Sequence, residues 1–580
     1  MRLRLFALCW ACPCIAIAAQ VVPTTPVDTT PRPNGALPCA GQTITDIVVT
    51  TQPPYTARLP GDLAVFSTLT RKLHVNTKDA VVRRYLLLDV GEPCDELRRA
   101  ESERIMRAQP FFVDARIAVM PDQRGGVRLE VVTRDEFSLF VEPNVALGGP
   151  LFRGLKFGES NLVGGGVYAG LQWTNGGAYR DRIAARLEHY QFLGGRNILR
   201  AFATRAPQGH DFGLEMVRPY LTDLQHLAWR GKIGGTRTYE GLLSREIEGP
   251  AVRVDRQFQD VGAVGRIGGI GNLKLIGASL SRELVNVDNK AVLVTRDGFR
   301  SADSIVVPGN YQNMDVTRLN ALIGVRQLRF VRVAGFDALT GVQDLRVGVQ
   351  TGMLLGRSVP WLGARDRDLF VLGDIYAGYG NKSSFLGFQT LTEARRDRRA
   401  GKWDGVLTSG RLAWYLKPAE KQLTLTELFW STGTSVRVPY QLSFADPEGG
   451  MLGYRNSRTP GAHRLVLRAE ERMRIPSRYT IADFGAAFFV EAGKLWAENV
   501  PFAVGSPVRG SLGLSIIAAV PPKSRRTWRL DFAMPVGGDP NAAFEIRFSN
   551  ADRTRVFWQD PADMRRARER AVPTGIFAWP

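Results

Sequence analysis

The stretch Thr527-Trp528-Arg529-Leu530-Asp531-Phe532-Ala533-Met534 decides the fold. Trp528, Leu530, Phe532 and Met534 occupy one phase, and Thr527, Arg529, Asp531 and Ala533 the other. Successive side chains leave a strand on opposite sides, so this period of two describes a strand with one apolar and one polar face. The same reading applies to Phe544–Phe548, where three apolar residues alternate with Glu545 and Arg547. Ile183, Ala185 and Leu187 alternate with Arg182, Arg186 and Glu188. Leu227, Trp229 and Ile233 alternate with Arg230 and Lys232, and Leu345, Val347 and Val349 with Arg346 and Gln350. The pattern runs from Phe137 to Phe548 with almost no helical period.

Alternation alone fits a soluble sandwich as well as a membrane barrel. The rest of the sequence separates them. Arg2 and Arg4 precede an apolar stretch, Leu5–Ala19, that ends in the small residues Ala16-Ile17-Ala18. This reads as an export signal over residues 1–19, which removes Cys9, Cys12 and Cys14. Only Cys12, after Ala11, approaches a lipid-attachment cysteine, and the usual aliphatic residue upstream is missing. Mean hydropathy is −0.12 and no run of eighteen apolar residues occurs, which excludes a helical membrane protein. The strand segments are about ten residues long, near what a tilted spanning strand needs. Closing the sheet satisfies the edges that lipid cannot. The expected fold is therefore mainly β: a transmembrane antiparallel barrel of about 16 strands over residues 135–549.

With 44% apolar and 23% charged residues, the 580-residue chain is not a disordered polar one, and five cysteines exclude a disulfide-stapled scaffold. The formal charge is +20, with pI near 10.0. Export and the barrel pattern argue against nucleic acid as the partner of that charge. Arg182, Arg186, Arg230, Arg346, Arg529 and Arg547 fall on the polar phase, where they would line a lumen or meet anionic lipid headgroups.

Residues 20–38 form a Pro/Thr-rich linker, extended and solvated. Residues 39–134 read as a small module: a strand at Ile44–Val49, helices at Asp79–Leu88 and Asp95–Gln109, and strands at Ala115–Met120 and Val127–Val132. Thr77 or Asp79 would cap the first helix and Gly91 stop it; Pro110 ends the second. In the second, Arg98, Arg99, Glu103 and Arg107 fall away from the apolar face. Gln52–Asn76 reads as an inserted loop with a short helix near Asp62–Leu69. Cys39 and Cys94 remain after export; either they are two buried thiols or, the favoured reading, they bridge, stabilising by about 4 kcal/mol.

The β-α-α-β-β order resembles a polypeptide-transport-associated (POTRA) domain, most closely at Glu101-Ser102-Glu103-Arg104 and Phe111-Phe112-Val113-Asp114-Ala115. The stretches VVTRDEFSLF (131–140), LKFGESNLVGGG (Leu155–Gly166) and VRPYLTD (Val217–Asp223) resemble the outer-membrane protein assembly superfamily, the bacterial surface antigen group. That resemblance implies a POTRA domain in the periplasm and a barrel whose last strand closes on its first, here Phe544, Ile546 and Phe548, at a seam that opens laterally. It also implies an extracellular loop folded into the barrel and ending in V-R-G-F/Y. The matching residues are Met451, Leu452, Gly453 and Tyr454, followed by Arg455. The facing wall motif F-x-D-x-G reads Phe489 to Gly493, with Glu491 for the aspartate. The family arginine is thus Leu452, and whether Arg455 or Arg458 replaces it stays open.

The last strand leaves 32 residues of chain, including a basic helix at Asp560–Ala571. A periplasmic extension is preferred over a lumen plug or a misplaced last strand at Arg553–Gln559.

The resemblance implies insertion or translocation of polypeptides at the outer membrane, with the POTRA domain taking clients by strand addition. The implied partners are unfolded outer-membrane or secreted polypeptides, outer-membrane lipid and other assembly proteins, with no cofactor and no catalysis. Consistently, the mature chain carries no G-x-S-x-G, P-loop, H-E-x-x-H or C-x-x-C. His74, His189, His210, His226 and His463 are scattered, and Gly164–Gly166 and Gly268–Gly271 read as turns. The alternatives are a passive solute channel or structural barrel and, more remotely, an outer-membrane lipase.

Overall fold

The computed structural model describes residues 35–572 apart from 56–73, 124, 146–151, 176–181, 208, 243–248, 296–297, 398–400, 477–480 and 499. The export signal, most of the linker and the short helix expected near Asp62–Leu69 lie outside the described residues.

The N-terminal module is a four-stranded sheet of order β2-β1-β4-β3 carrying two helices. Its strands are β1 (Ala40–Gln52), β2 (Pro93–Asp95), β3 (Phe112–Pro121) and β4 (Val127–Asp135). β1 and β4 run parallel, and β3 and β4 antiparallel. The three-residue β2 is an addition to the expected order. It lies beside β1, and Cys94 within it is disulfide-bonded to Cys39, with Cα atoms 5.1 Å apart.

Helix α1 covers only Asp79–Arg83, not Asp79–Leu88. Tyr85 and Leu86 bond back to Val82 and Arg83 in three-residue turns, and the Leu87 N–H bonds to Ser102 Oγ at 2.9 Å. Tyr85, Leu86 and Leu88 still reach the core, but from turns. Neither Thr77 nor Asp79 caps it: Lys78 holds that position without a side-chain bond, and Thr77 is turned to Asp135. Helix α2 covers Glu96–Arg107, with the Asp95 carboxylate accepting the Arg98 N–H at 2.8 Å.

The chain then enters a closed antiparallel barrel, beginning with β5 (Leu139–Val145) and ending with Glu545–Asp552. Among the described residues twenty strands make the ring, not about sixteen. A further hairpin strand, Gly298–Val306, pairs with the far end of Asn272–Thr295 outside the ring. Strand lengths are uneven. Glu545–Asp552, at the closure, has 8 residues, whereas Gly249–Gly269 and Asn272–Thr295 have 21 and 24.

The alternation sorts the two faces. Thr527, Arg529 and Asp531 are buried inside. In the neighbouring strand Leu512, Leu514 and Ile516 are outward and exposed, while Ser511 and Ser515 are buried. One expected stretch departs from this. Val349 is exposed, but Leu345 and Val347 are buried with Phe336 and Phe385. The phase breaks at Gly348, whose φ of +125° only glycine adopts readily. Among the expected lumen arginines, Arg230 pairs with Asp260 at 2.7 Å and Arg529 with Glu470 at 3.0 Å, whereas Arg186 remains largely exposed beside Glu188.

The module sits on one mouth of the barrel. Arg107 bonds to Asp344 at 3.0 Å, Arg525 donates to the Gln109 carbonyl at 2.8 Å, and Arg104 donates to the Leu221 carbonyl. The residues that carried the resemblance lie at this junction. Gly164 leaves no room for a Cβ against the Asn76 carbonyl, and Asn161 donates to Thr77 Oγ1 at 2.7 Å. His74 bridges Asp135 and Ser138 in the same buried network.

Candidate functional site: a filled lumen beside the barrel closure

Residues 435–462 join two wall strands at the end away from the module, yet they fold inward. Room for them comes from Gly493, where a Cβ would overlap Met451 Sδ and the Phe444 ring. The tip Met451–Tyr454 is buried. Gly453 turns the chain at φ +83°, with Pro535 packed where a side chain would be.

The tip is gripped through its backbone. The Leu452 N–H donates to Glu491 Oε2 at 2.8 Å, and the Gly453 N–H to Glu545 Oε2 at 2.8 Å. Tyr454 Oη lies 2.8 Å from the carbonyl oxygens of both Gly510 and Val536. Bonds from N–H to an ionised carboxylate are about twice as strong as neutral ones. Glu491 also pairs with Arg468 at 3.2 Å, a wall arginine that stacks over Phe489. The structure therefore brings together Glu491, Gly493, Gly453 and Tyr454. It does not bring Arg455 to Glu491. Arg455 faces Glu545 at 3.9 Å, and Arg458 is exposed.

Glu545 escaped the sequence reading as a site residue. It stands on the last wall strand, holds the loop tip, and is paired with Arg547 at 2.8 Å. Its only sequence signal was its place on the polar phase. Phe544, just before that strand, is exposed; Ile546 and Phe548 share its outward phase. The strand lies beside β5. At this closure the Asn550 side-chain amide also donates to Glu142 Oε1 at 3.2 Å.

Among the described residues beyond the last strand, 553–572, the chain follows neither the preferred periplasmic extension nor the alternative last strand at Arg553–Gln559. It turns back and fills the lumen. Helix α3 (Ala562–Ala567) is shorter than the expected Asp560–Ala571. Asp563 accepts from Arg464 at 2.6 Å, and the same arginine donates to the Ser443 carbonyl of the inward loop at 2.5 Å. Glu569 pairs with Arg318 and Arg395, and Arg568 with Glu393 at 3.3 Å. The tail and loop thus form one filling. Among the described residues no group of His, Cys, Asp and Glu is arranged to hold a metal.

No model of a known protein family matches the chain, and no curated protein matches it. Solved structures similar to it include BamA from Haemophilus ducreyi lacking POTRA domains 1–3, at 12% identity over 88% of this chain and 85% of that one, with a TM-score of 0.38. CdiB from Escherichia coli is 12% identical over 90% and 93%, with a TM-score of 0.38. CdiB from Acinetobacter baumannii is 9% identical over 88% and 74%, with a TM-score of 0.40.

Proposed function

We propose that the protein spans the bacterial outer membrane and assists the insertion or translocation of polypeptides there, with the module, a POTRA-like domain, in the periplasm. One observation carries this reading. On the last strand, which neighbours β5 at the barrel closure, Glu545 grips the inward lumen loop through the Gly453 N–H. A strand held from inside, with an edge that a client backbone can pair with, is a gate that opens by releasing the loop. The reaction is conformational and uses no nucleophile or cofactor. A passive solute channel fits less well, because the inward loop and the tail occupy the lumen.

The test is depletion of the protein in its own host, followed by the folded state of outer-membrane proteins. Accumulation of unfolded barrel precursors in the periplasm is expected. An unchanged outer-membrane composition would overturn the reading.

A further inference from the structure

The wall around the tail has two properties that a mere stopper does not need. First, it reads main chain. Arg411 donates to the Phe557 carbonyl, Arg256 to the Arg568 carbonyl at 3.0 Å, and Lys232 to the Arg570 carbonyl at 3.1 Å. Glu393 accepts the Glu569 N–H at 3.3 Å, and Glu283 accepts the N–H groups of Arg570 and Ala571 at 2.8 and 2.9 Å. These are donors and acceptors that almost any polypeptide offers. They come from two separate regions of the wall, three adjacent strands carrying Lys232, Arg256 and Glu283 and two carrying Glu393 and Arg411, so the residues converge on one path.

Second, much of the grip is ionic. Asp563, Arg568 and Glu569 are all matched by opposite charges on the wall. A buried ion pair gains little net stability, since each charge gave up its water to form it. When the tail leaves, the wall charges face a wet lumen and regain that water. Apolar anchorage is spread over Phe557, Met564, Ala567 and Val572, which sit in three separate clusters rather than one core. Such an occupant is specifically seated and yet exchangeable.

We propose that the lumen wall formed by Lys232, Arg256, Glu283, Glu393 and Arg411 is a binding track for the backbone of a polypeptide, and that residues 557–571 occupy it as a self-supplied stand-in which a transiting chain displaces. This rests on the polypeptide-handling reading above and names the place where the chain in transit is held.

The test compares the full chain with a variant ending at Val556, both reconstituted in planar bilayers, with heat-modified migration on gels reporting that each barrel is folded. The truncated barrel passes at least tenfold more current than the full chain. A synthetic peptide of residues 557–571 closes it again. The same peptide N-methylated at 569, 570 and 571 closes it at least tenfold less effectively, because Glu393 and Glu283 lose their donors. Equal currents with and without the tail, or equal block by both peptides, would overturn the track. Should the truncated chain fail to fold, full-length Glu283→Ala combined with Glu393→Ala is expected to flicker open, and a closed double variant would overturn it too. Peptide block without any assembly defect on depletion would sink only the assembly reading; an assembly defect without peptide block would sink only the track.

Discussion

Leu452 stands where the family pattern has an arginine, and whether Arg455 or Arg458 replaces it was open; the donor to Glu491 is the backbone N–H of Leu452 itself. The carboxylate of Glu491 is satisfied all the same, by that N–H and by Arg468. Leu452→Ala should therefore leave the loop seated. Leu452→Pro removes the donor and should cost about 1.5–3 kcal/mol, the worth of a hydrogen bond to a charged group. The midpoint of heat-modified migration on gels would report the difference, and equal midpoints for the two variants would refute the backbone grip. Glu545→Ala frees the Gly453 N–H on one side and Arg547 on the other, so loop and last strand should uncouple; faster proteolysis within 435–462 in the folded barrel is the expected sign. Sequence pointed to Glu491, Gly493 and the loop tip because each stands in a recognisable motif. The mode of contact was not legible there, since every non-proline residue owns the donor that Leu452 uses.

At the level of single elements, α2 holds the main departure from its sequence pattern. Arg99, Glu103 and Arg107 fall away from its apolar stripe in the sequence. They are buried. Glu103 accepts the Ile117 N–H at 2.7 Å and Arg99 donates to the Ile117 carbonyl at 3.0 Å, so the outer edge of β3 is partly closed by side chains. Helical periodicity cannot reveal this, because the partner is an edge backbone distant in sequence. A client strand adding to β3 must displace those side chains. Glu103→Ala with Arg99→Ala should accordingly raise binding of extended peptides to the protein, measured by fluorescence anisotropy; unchanged binding would place the receiving edge elsewhere.

The same helix carries a pH response. Burial raises the Glu101 carboxyl, but the adjoining Arg104 guanidinium outweighs it and holds the group below its ordinary 4.5. A lowered folded-state pKa stabilises above the ordinary value and is lost as pH falls through the folded one. Amide exchange in the module should quicken below about pH 4.5, and Glu101→Gln should flatten that dependence. The disulfide adds a separate term: Cys39→Ser with Cys94→Ser should cost about 4 kcal/mol by the loop-entropy estimate.

For the whole molecule, the period of two identified the barrel, and it left the strand count open. Glu545–Asp552, with 8 residues, and Asn272–Thr295, with 24, share one alternating pattern, so alternation alone does not count the strands. The fate of the tail was equally hidden, since a basic helix looks the same in water and in a lumen lined with acidic and basic groups. The closure itself can be tested directly. Asn550→Cys with Glu142→Cys replaces their side-chain hydrogen bond across the closure by a cross-link. If the closure must part, the oxidised protein should lose assembly activity and regain it on reduction; full activity while cross-linked would show that clients never pass there.

The uneven wall has one more consequence. Asn272–Thr295 extends ~80 Å along its own direction at ~3.3 Å per residue, well over what a tilted strand needs to cross a bilayer. With Gly298–Val306 beside it and Leu242, Val252, Ala291, Ala302 and Tyr311 packed together, the excess forms a small buttressed blade on the face away from the module. On an intact cell that blade would be the part most open to antibodies, bacteriophage and added proteases. An epitope placed between Thr295 and Gly298 should be stained on living cells without permeabilisation, which makes the blade a ready marker of which way round the molecule has entered its membrane.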